Sequence, residues 1–376
     1  MELAKTKTRV SLRFCIPRYN QAHMPSAYTA NWIKLARQDR HLHPSVAIYY
    51  VTGQCNLNCA YCEDFGSRRN AGNEDPLPLE QAKKILRVIR TGTDSLFLTG
   101  GEPLTHPQID ALVAYAKREL HFRELTLITN GFLLPGHESL LAMLDRLIIS
   151  LDSTDAETWS KVIGVSVEST DSIIRHVEAT ACLQKKYKFV MAVNTVISPE
   201  TLPGAQAVLD FCIQHNLLIS FSPQSVNNWP RYDLTVSPEY QAFIKNLIWL
   251  KRHGAPILGS IAYLKTLSHF EPYDCYPTLV PRIYPNGDLA YPCRPLEKGN
   301  NGQGGRVVNL LNALKWDDSW REAHSIYGQP PRNCHSCFQQ CYAEPSLMQS
   351  KPLTLLWEYI RYPASRNGKL TTYAPG

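Results

Sequence analysis

The sequence predicts an α/β fold, a partial (β/α)6 barrel followed by a small C-terminal cysteine-rich domain. Three observations predict it. Strand-like and helix-like stretches alternate through six βα units between residues 46 and 251, which implies a parallel sheet curling toward a barrel. The residues with chemical potential fall just after those strands, where α/β sheets place their sites. From about Tyr273 the chain becomes rich in Pro, Gly, Asn and Cys, the texture of a small domain held by a metal centre.

Residues 1–45 read as a polar, irregular leader punctuated by Pro25 and Pro44. The barrel occupies residues 46–255. Its strands are expected at 46–52 (VAIYYVT), 96–99, 125–129, 146–152 (RLIISLD), 189–197 and 217–222, each rich in β-branched, aromatic or leucine side chains. Helical spacing of apolar residues places helices at 79–90, 109–120, 170–185, 203–215 and 239–251. The small domain covers 256–350, with turns at Pro285-Asn286-Gly287-Asp288 and Gly302-Gln303-Gly304-Gly305. The tail, 351–376, contains one short helix that packs back.

Bulk properties exclude several classes. The net charge of +6 is spread without a Lys/Arg block, which favours an anionic substrate and gives no clear sign of nucleic-acid binding. No apolar run approaches the ~20 residues of a membrane span. The N-terminus lacks a signal-peptide core, so a cytoplasmic location is expected, and eleven cysteines there read as thiols and metal ligands.

Cys55, Cys59 and Cys62 follow the first strand in GQCNLNCAYC. Three thiolates on a four-iron cubane leave one iron open, as a catalytic zinc site leaves a position open. No further cysteine occurs until Cys182, inside an expected helix, and Cys15 lies in the leader. After the second strand comes Thr99-Gly100-Gly101-Glu102-Pro103. The glycine pair lets backbone come close to a ligand, and Glu102 offers an acceptor for an ammonium group. Asn130 ends the third strand, Ser150 and Asp152 the fourth, and Asn194 lies on the fifth.

This pattern resembles the radical S-adenosylmethionine (radical SAM) superfamily. The resemblance implies a [4Fe-4S] cluster on Cys55, Cys59 and Cys62 whose open iron chelates the SAM methionine group. It implies reductive cleavage of SAM to a 5′-deoxyadenosyl radical that abstracts hydrogen from substrate, with electrons from a partner such as flavodoxin or ferredoxin. Tyr61 matches the position that packs near adenine. Gly100, Gly101, Glu102 and Pro103 match the segment that holds the SAM amino group, and Ser150 and Asp152 match positions near its ribose and carboxylate. Many relatives carry an Arg-Gly pair after the fourth strand; here the stretch is Lys161-Val162-Ile163-Gly164, so Lys161 substitutes as a point charge or another residue does the job.

The later cysteines resemble the SPASM and twitch domains appended to many such enzymes. Their number fits one auxiliary [4Fe-4S] cluster, on Cys275, Cys293, Cys334 and Cys337, with Cys341 spare or an alternate ligand; a structural zinc is the rival. Cys182 and Cys212 read as small core residues. Gln224, Arg231 and Tyr232, after the sixth strand, are positional candidates for catalytic residues. The expected function is hydrogen abstraction from a small molecule in a biosynthetic pathway. A ribosomal-peptide maturase is the alternative, weakened by a leader too short for a peptide-recognition domain, and a non-catalytic iron–sulfur or zinc scaffold is the third reading.

Overall fold

Alternation along each strand decides the two faces of the sheet. In the computed structural model, which describes residues 26–63, 65, 75–227, 229–297, 304–306, 308–330 and 337–361, six parallel strands form in spatial order. They are β1 (Ala47–Tyr50), β2 (Ser95–Thr99), β3 (Glu124–Thr129), β4 (Arg146–Ser150), β5 (Val190–Ile197) and β6 (Leu218–Pro223). Leu96, Leu98, Leu125, Leu127, Leu147 and Ile149 point outward and are fully buried under the helices. Ile48, Tyr50, Phe97, Ile128, Ile148 and Val196 point inward and line a lumen. The barrel expectation holds at every strand.

A short antiparallel pair, β7 (Ser225–Val226) with β8 (Trp229–Pro230), follows β6. The later segment adds two strands to the main sheet. β9 (Arg282–Ile283) pairs parallel to β1, and β10 (Leu289–Ala290) returns antiparallel to β9, giving the order β10-β9-β1-β2-β3-β4-β5-β6. The Asn286-Gly287-Asp288 turn makes that hairpin: Asn286 Oδ1 accepts from Asp288 N at 3.0 Å, and Gly287 takes φ +92°. Beyond β6, residues 256–258 run alongside Ile219, with Ile219 N on Pro256 O at 2.9 Å and Leu258 N on Ile219 O at 2.7 Å.

The helices at Leu79–Arg90, Ala205–Gln214 and Pro238–Arg252 lie where apolar spacing put them, and Val167–Ala181 starts earlier, at its Ser166 cap. The helix from Ile109 runs as α to Ala114 and continues as a wider turn, Tyr115–Glu119. The leader is not irregular throughout: Ser26–Ala36 is a helix. Asn31 is fully buried, donates to His43 O at 3.0 Å and accepts from His43 N at 2.7 Å, and Trp32 Nε1 donates to Gln349 O at 3.0 Å. Helices at Ile261–His269, Trp316–Tyr327 and Gln340–Ser350 were not expected, and the tail helix is Pro352–Arg361. Among the described residues no helix is long and apolar enough to cross a membrane. Cys15, Cys334 and residues 302–303 lie outside the described residues.

Candidate active site

The cysteine loop is held on both sides by backbone. From β2, Gly101 N donates to Thr52 O at 2.9 Å and Glu102 N to Gln54 O at 2.7 Å. A Cβ on Gly100 would sit 2.4 Å from Thr52 O, and one on Gly101 2.2 Å from Gln54 O. Both positions are therefore glycine because the chain's own loop passes there. On the other side, Asn58 N donates to Ile163 O at 3.0 Å and Ala60 N to Val162 O at 2.8 Å, at the end of the helix Ala156–Ile163.

Within the loop, amides are aimed at sulfur: Leu57 N lies 3.4 Å from Cys55 Sγ and Phe65 N 3.4 Å from Cys62 Sγ. Burial pushes the Cys55 thiol up to about 11, and Glu102 and Cys62 push the same way. Cys59 is raised further, first by burial and then by Asp152, Cys62 and Cys55. Cys62 thus acts electrostatically on both Cys55 and Cys59. Among the described residues no three His, Cys, Asp or Glu side chains are grouped so as to hold a single metal ion.

Glu102 is wholly buried. It accepts from Leu104 N at 3.0 Å, Thr129 Oγ1 at 2.6 Å and Asn130 N at 2.7 Å, yet burial still raises it to about 7. Its Oε2 carries one of these three bonds, which leaves a lone pair for a further donor. Asn130 reaches the cysteine loop through Asn56 Oδ1 at 2.8 Å. Asp152, buried and raised to about 6 by burial, accepts from the Tyr61 hydroxyl and from Val196 N at 2.8 Å. Cys55–Cys62, Gly100–Pro103, Asn130 and Asp152 therefore surround one end of the barrel.

The lumen is a cavity of about 720 Å³. Tyr61, Cys62, Asn194 and Gln224 line it near the cysteine loop. Asn194 Oδ1 accepts from Ser220 Oγ at 3.0 Å. Arg231 Nη1 donates to Gln224 Oε1 at 3.2 Å and pairs with Glu200 at 2.9 Å, so Arg231 sits behind Gln224. Tyr232 is 74% exposed, and Lys161 is exposed on its helix; neither lines the lumen. Ser150 is partly buried beside Asn194, its partner across β4 and β5.

Several cavity residues escaped the sequence reading. Arg282 and Arg294 are buried and face the lumen. Arg282 is held by Tyr50 OH at 2.6 Å, Gln339 Oε1 at 3.0 Å and Cys341 Sγ at 3.0 Å. The inward direction of Arg282 depends on β9 pairing with β1, which no local pattern announces. Cys275, Cys293 and Cys337 are buried. Cys337 and Cys275 both act on Tyr273, while Cys293 and Cys341 both act on Tyr342. Cys212 is a buried core residue and Cys182 is exposed.

Residues 49–181 match the radical SAM superfamily. They are a radical SAM domain. The probable GTP 3′,8-cyclase of Methanococcus aeolicus is 29% identical over 173 residues, 45% of this chain and 56% of that protein. The S-adenosylmethionine-dependent nucleotide dehydratase RSAD2 of Danio rerio is 31% identical over 161 residues, 41% and 43% of the two chains. The chain thus spans about half the length of these curated relatives. Among solved structures, Streptococcus suis SuiB superposes with TM-score 0.58 at 20% identity, over 80% of this chain and 71% of that one. The anSMEcpe structure with bound AdoMet gives 0.55 at 17%, over 76% and 83%. Both share the fold.

A radical SAM domain uses a [4Fe-4S] cluster and SAM, and the donor set here fits them. Three partly buried thiols, of which Cys55 and Cys59 are raised by burial and by neighbouring sulfur, would be stabilised as thiolates by a cationic iron centre, and two sulfurs already receive amide bonds. Cys55, Cys59 and Cys62 would hold the cluster, with Glu102 beside them to accept from an amino group.

Proposed function

We propose that this radical SAM domain belongs to an enzyme that takes a hydrogen atom from a small anionic molecule of nucleotide type bound in the barrel. The cluster, when bound, supplies the electron that splits SAM to methionine and a 5′-deoxyadenosyl radical. The protein does the rest: Glu102 accepts N–H bonds from the SAM amino group, the Tyr61–Asp152 pair shapes the wall beside the nucleoside, and the apolar lumen keeps water from the reacting carbon. The lumen carries the reading. Its volume of about 720 Å³ lies in the ordinary range for small-ligand sites, and it joins Cys62 to two buried arginines, Arg282 and Arg294. Their guanidinium groups suit phosphate or carboxylate oxygens.

The names of the sequence relatives support a nucleotide, since both act on nucleotides or GTP. Cys275, Cys293, Cys334 and Cys337 are proposed to hold one auxiliary [4Fe-4S] cluster. The test is anaerobic: reduced, iron-reconstituted protein is mixed with SAM and each nucleoside triphosphate in turn, and 5′-deoxyadenosine is measured. Release stimulated by a nucleotide is expected. No 5′-deoxyadenosine at all would leave only a metal-binding scaffold.

A further inference from the structure

The end of the lumen opposite the cysteine loop is built from polar side chains that the reaction above does not use. Ser95, Glu124 and Arg146 are the first residues of β2, β3 and β4, and all three line the cavity. Arg146 is neutralised there by Glu124 at 2.7 Å, and Ser95 Oγ lies 3.3 Å from the same carboxylate. Lys251, at the end of the helix Pro238–Arg252, lines the same cavity. Its Nζ donates to Ile257 O at 2.6 Å, and Ile257 runs alongside Ile219 at the start of β6.

Lys251 is half-buried and lines the lumen, and among the described residues it forms no ion pair. Burial lowers its pKa below the ordinary lysine value, and two carboxylates that share the lumen lie near enough to offset part of that without bonding it. Glu344 spends both oxygens on Ser260 N, each at 2.9 Å, and Glu358 takes Ile261 N at 2.8 Å and Ala262 N at 3.2 Å. An ammonium has three donors, and Ile257 uses one. Two remain for an acceptor in the cavity.

We propose that Lys251 is a substrate-binding residue, which takes an anionic oxygen at the substrate's far end while the reacting carbon lies near Tyr61 and Cys62. Strands β2, β3, β4 and β6 have five or six residues, on the order of 15–20 Å at ~3.3 Å per residue. The substrate is therefore an elongated molecule with its anionic group remote from the carbon that loses hydrogen. This inference rests on the reading that the lumen holds the substrate. A phosphate chain and a carboxylate have the same claim on Lys251, and the experiment separates them.

Equilibrium binding of inorganic triphosphate, succinate and GTP is measured on the reconstituted, SAM-loaded full chain, in wild type, Lys251→Met and Lys251→Arg. Met preserves the apolar stem and strands no carboxylate, because Glu344 and Glu358 keep their amide donors; iron content and melting temperature check each variant. Lys251→Arg, which keeps the charge, carries the comparison should Lys251→Met fail to fold, by retaining binding that Ser95→Trp at the same end blocks. The wild type is expected to bind an anion at least about tenfold more tightly than Lys251→Met, with Lys251→Arg restoring most of the loss. The effect on triphosphate identifies a phosphate chain, and the effect on succinate a carboxylate. Equal affinities, or no binding of any probe by wild type, overturn the assignment. Failure to release 5′-deoxyadenosine overturns the enzyme reading separately, since the anion comparison does not depend on turnover.

Discussion

The Tyr61 hydroxyl donates to the Asp152 carboxylate, so the loop that carries Cys55, Cys59 and Cys62 is tied to the end of β4. Two residues that sequence reading assigned separately to the cofactor meet each other. Tyr61→Phe keeps the ring and removes the donor, leaving a buried carboxylate with one bond, from Val196 N. The expected cost is about 1–3 kcal/mol of stability, together with weaker SAM binding as the loop loosens. Thermal melting and SAM titration of the variant check this, and unchanged values for both would show that the bond does not hold the loop.

Gly101 packs against the backbone of that loop. Alanine there would place Cβ 2.2 Å from Gln54 O, so the loop or the Glu102 segment must move. A shift of even 1 Å in the geometry around the three thiols lowers 5′-deoxyadenosine formation by about 10². Gly204→Ala is the control, because its Cβ would meet only Ser153 Oγ at 3.7 Å, an ordinary contact. If Gly101→Ala and Gly204→Ala retain equal activity and iron, close approach is not the reason for glycine.

The barrel was legible because its signals are local. Ala82, Ile85, Leu86 and Ile89 recur at helical spacing and are all buried in the helix Leu79–Arg90, and each strand carries its own apolar run. Glu102 was legible through the Gly-Gly before it. Arg282 and Lys251 were not, because each faces the lumen through a partner far away in sequence: β1 for Arg282, and the stretch beside Ile219 for Lys251. A lysine at a helix end otherwise reads as a solvated cation. The helix Ser26–Ala36 was missed for the same reason, since its buried polar contacts are to His43 and Gln349.

Cys341 and Cys337 are near neighbours with different surroundings. Cys337 is buried beneath Tyr273, whose hydroxyl donates to Cys337 O at 2.7 Å, whereas Cys341 lines the lumen with Arg282 Nη2 3.0 Å from its sulfur. Cys337→Ala is expected to lose about four of about eight irons after reconstitution, and Cys341→Ala to keep them. Iron analysis decides, and equal losses would make Cys341 a ligand.

Glu102 gives the site a pH dependence. Its ordinary value is 4.5, and burial raises it to about 7 in spite of bonds from Asn130 N, Thr129 and Leu104 N. The fold therefore prefers the protonated acid. Its contribution to stability is complete below pH 4.5 and is lost as pH rises through 7, by about 3 kcal/mol. The amino group of the ligand reverses that preference, because its N–H groups bond the carboxylate better than the acid. Below pH 7 SAM must displace a proton to bind, so its affinity should rise by about tenfold per pH unit and level off above 7. Glu102→Gln, which cannot ionise, should bind SAM weakly and with a flat profile. Titrating SAM into both proteins across this range tests the assignment: parallel profiles would mean that the amino group rests on some other acceptor.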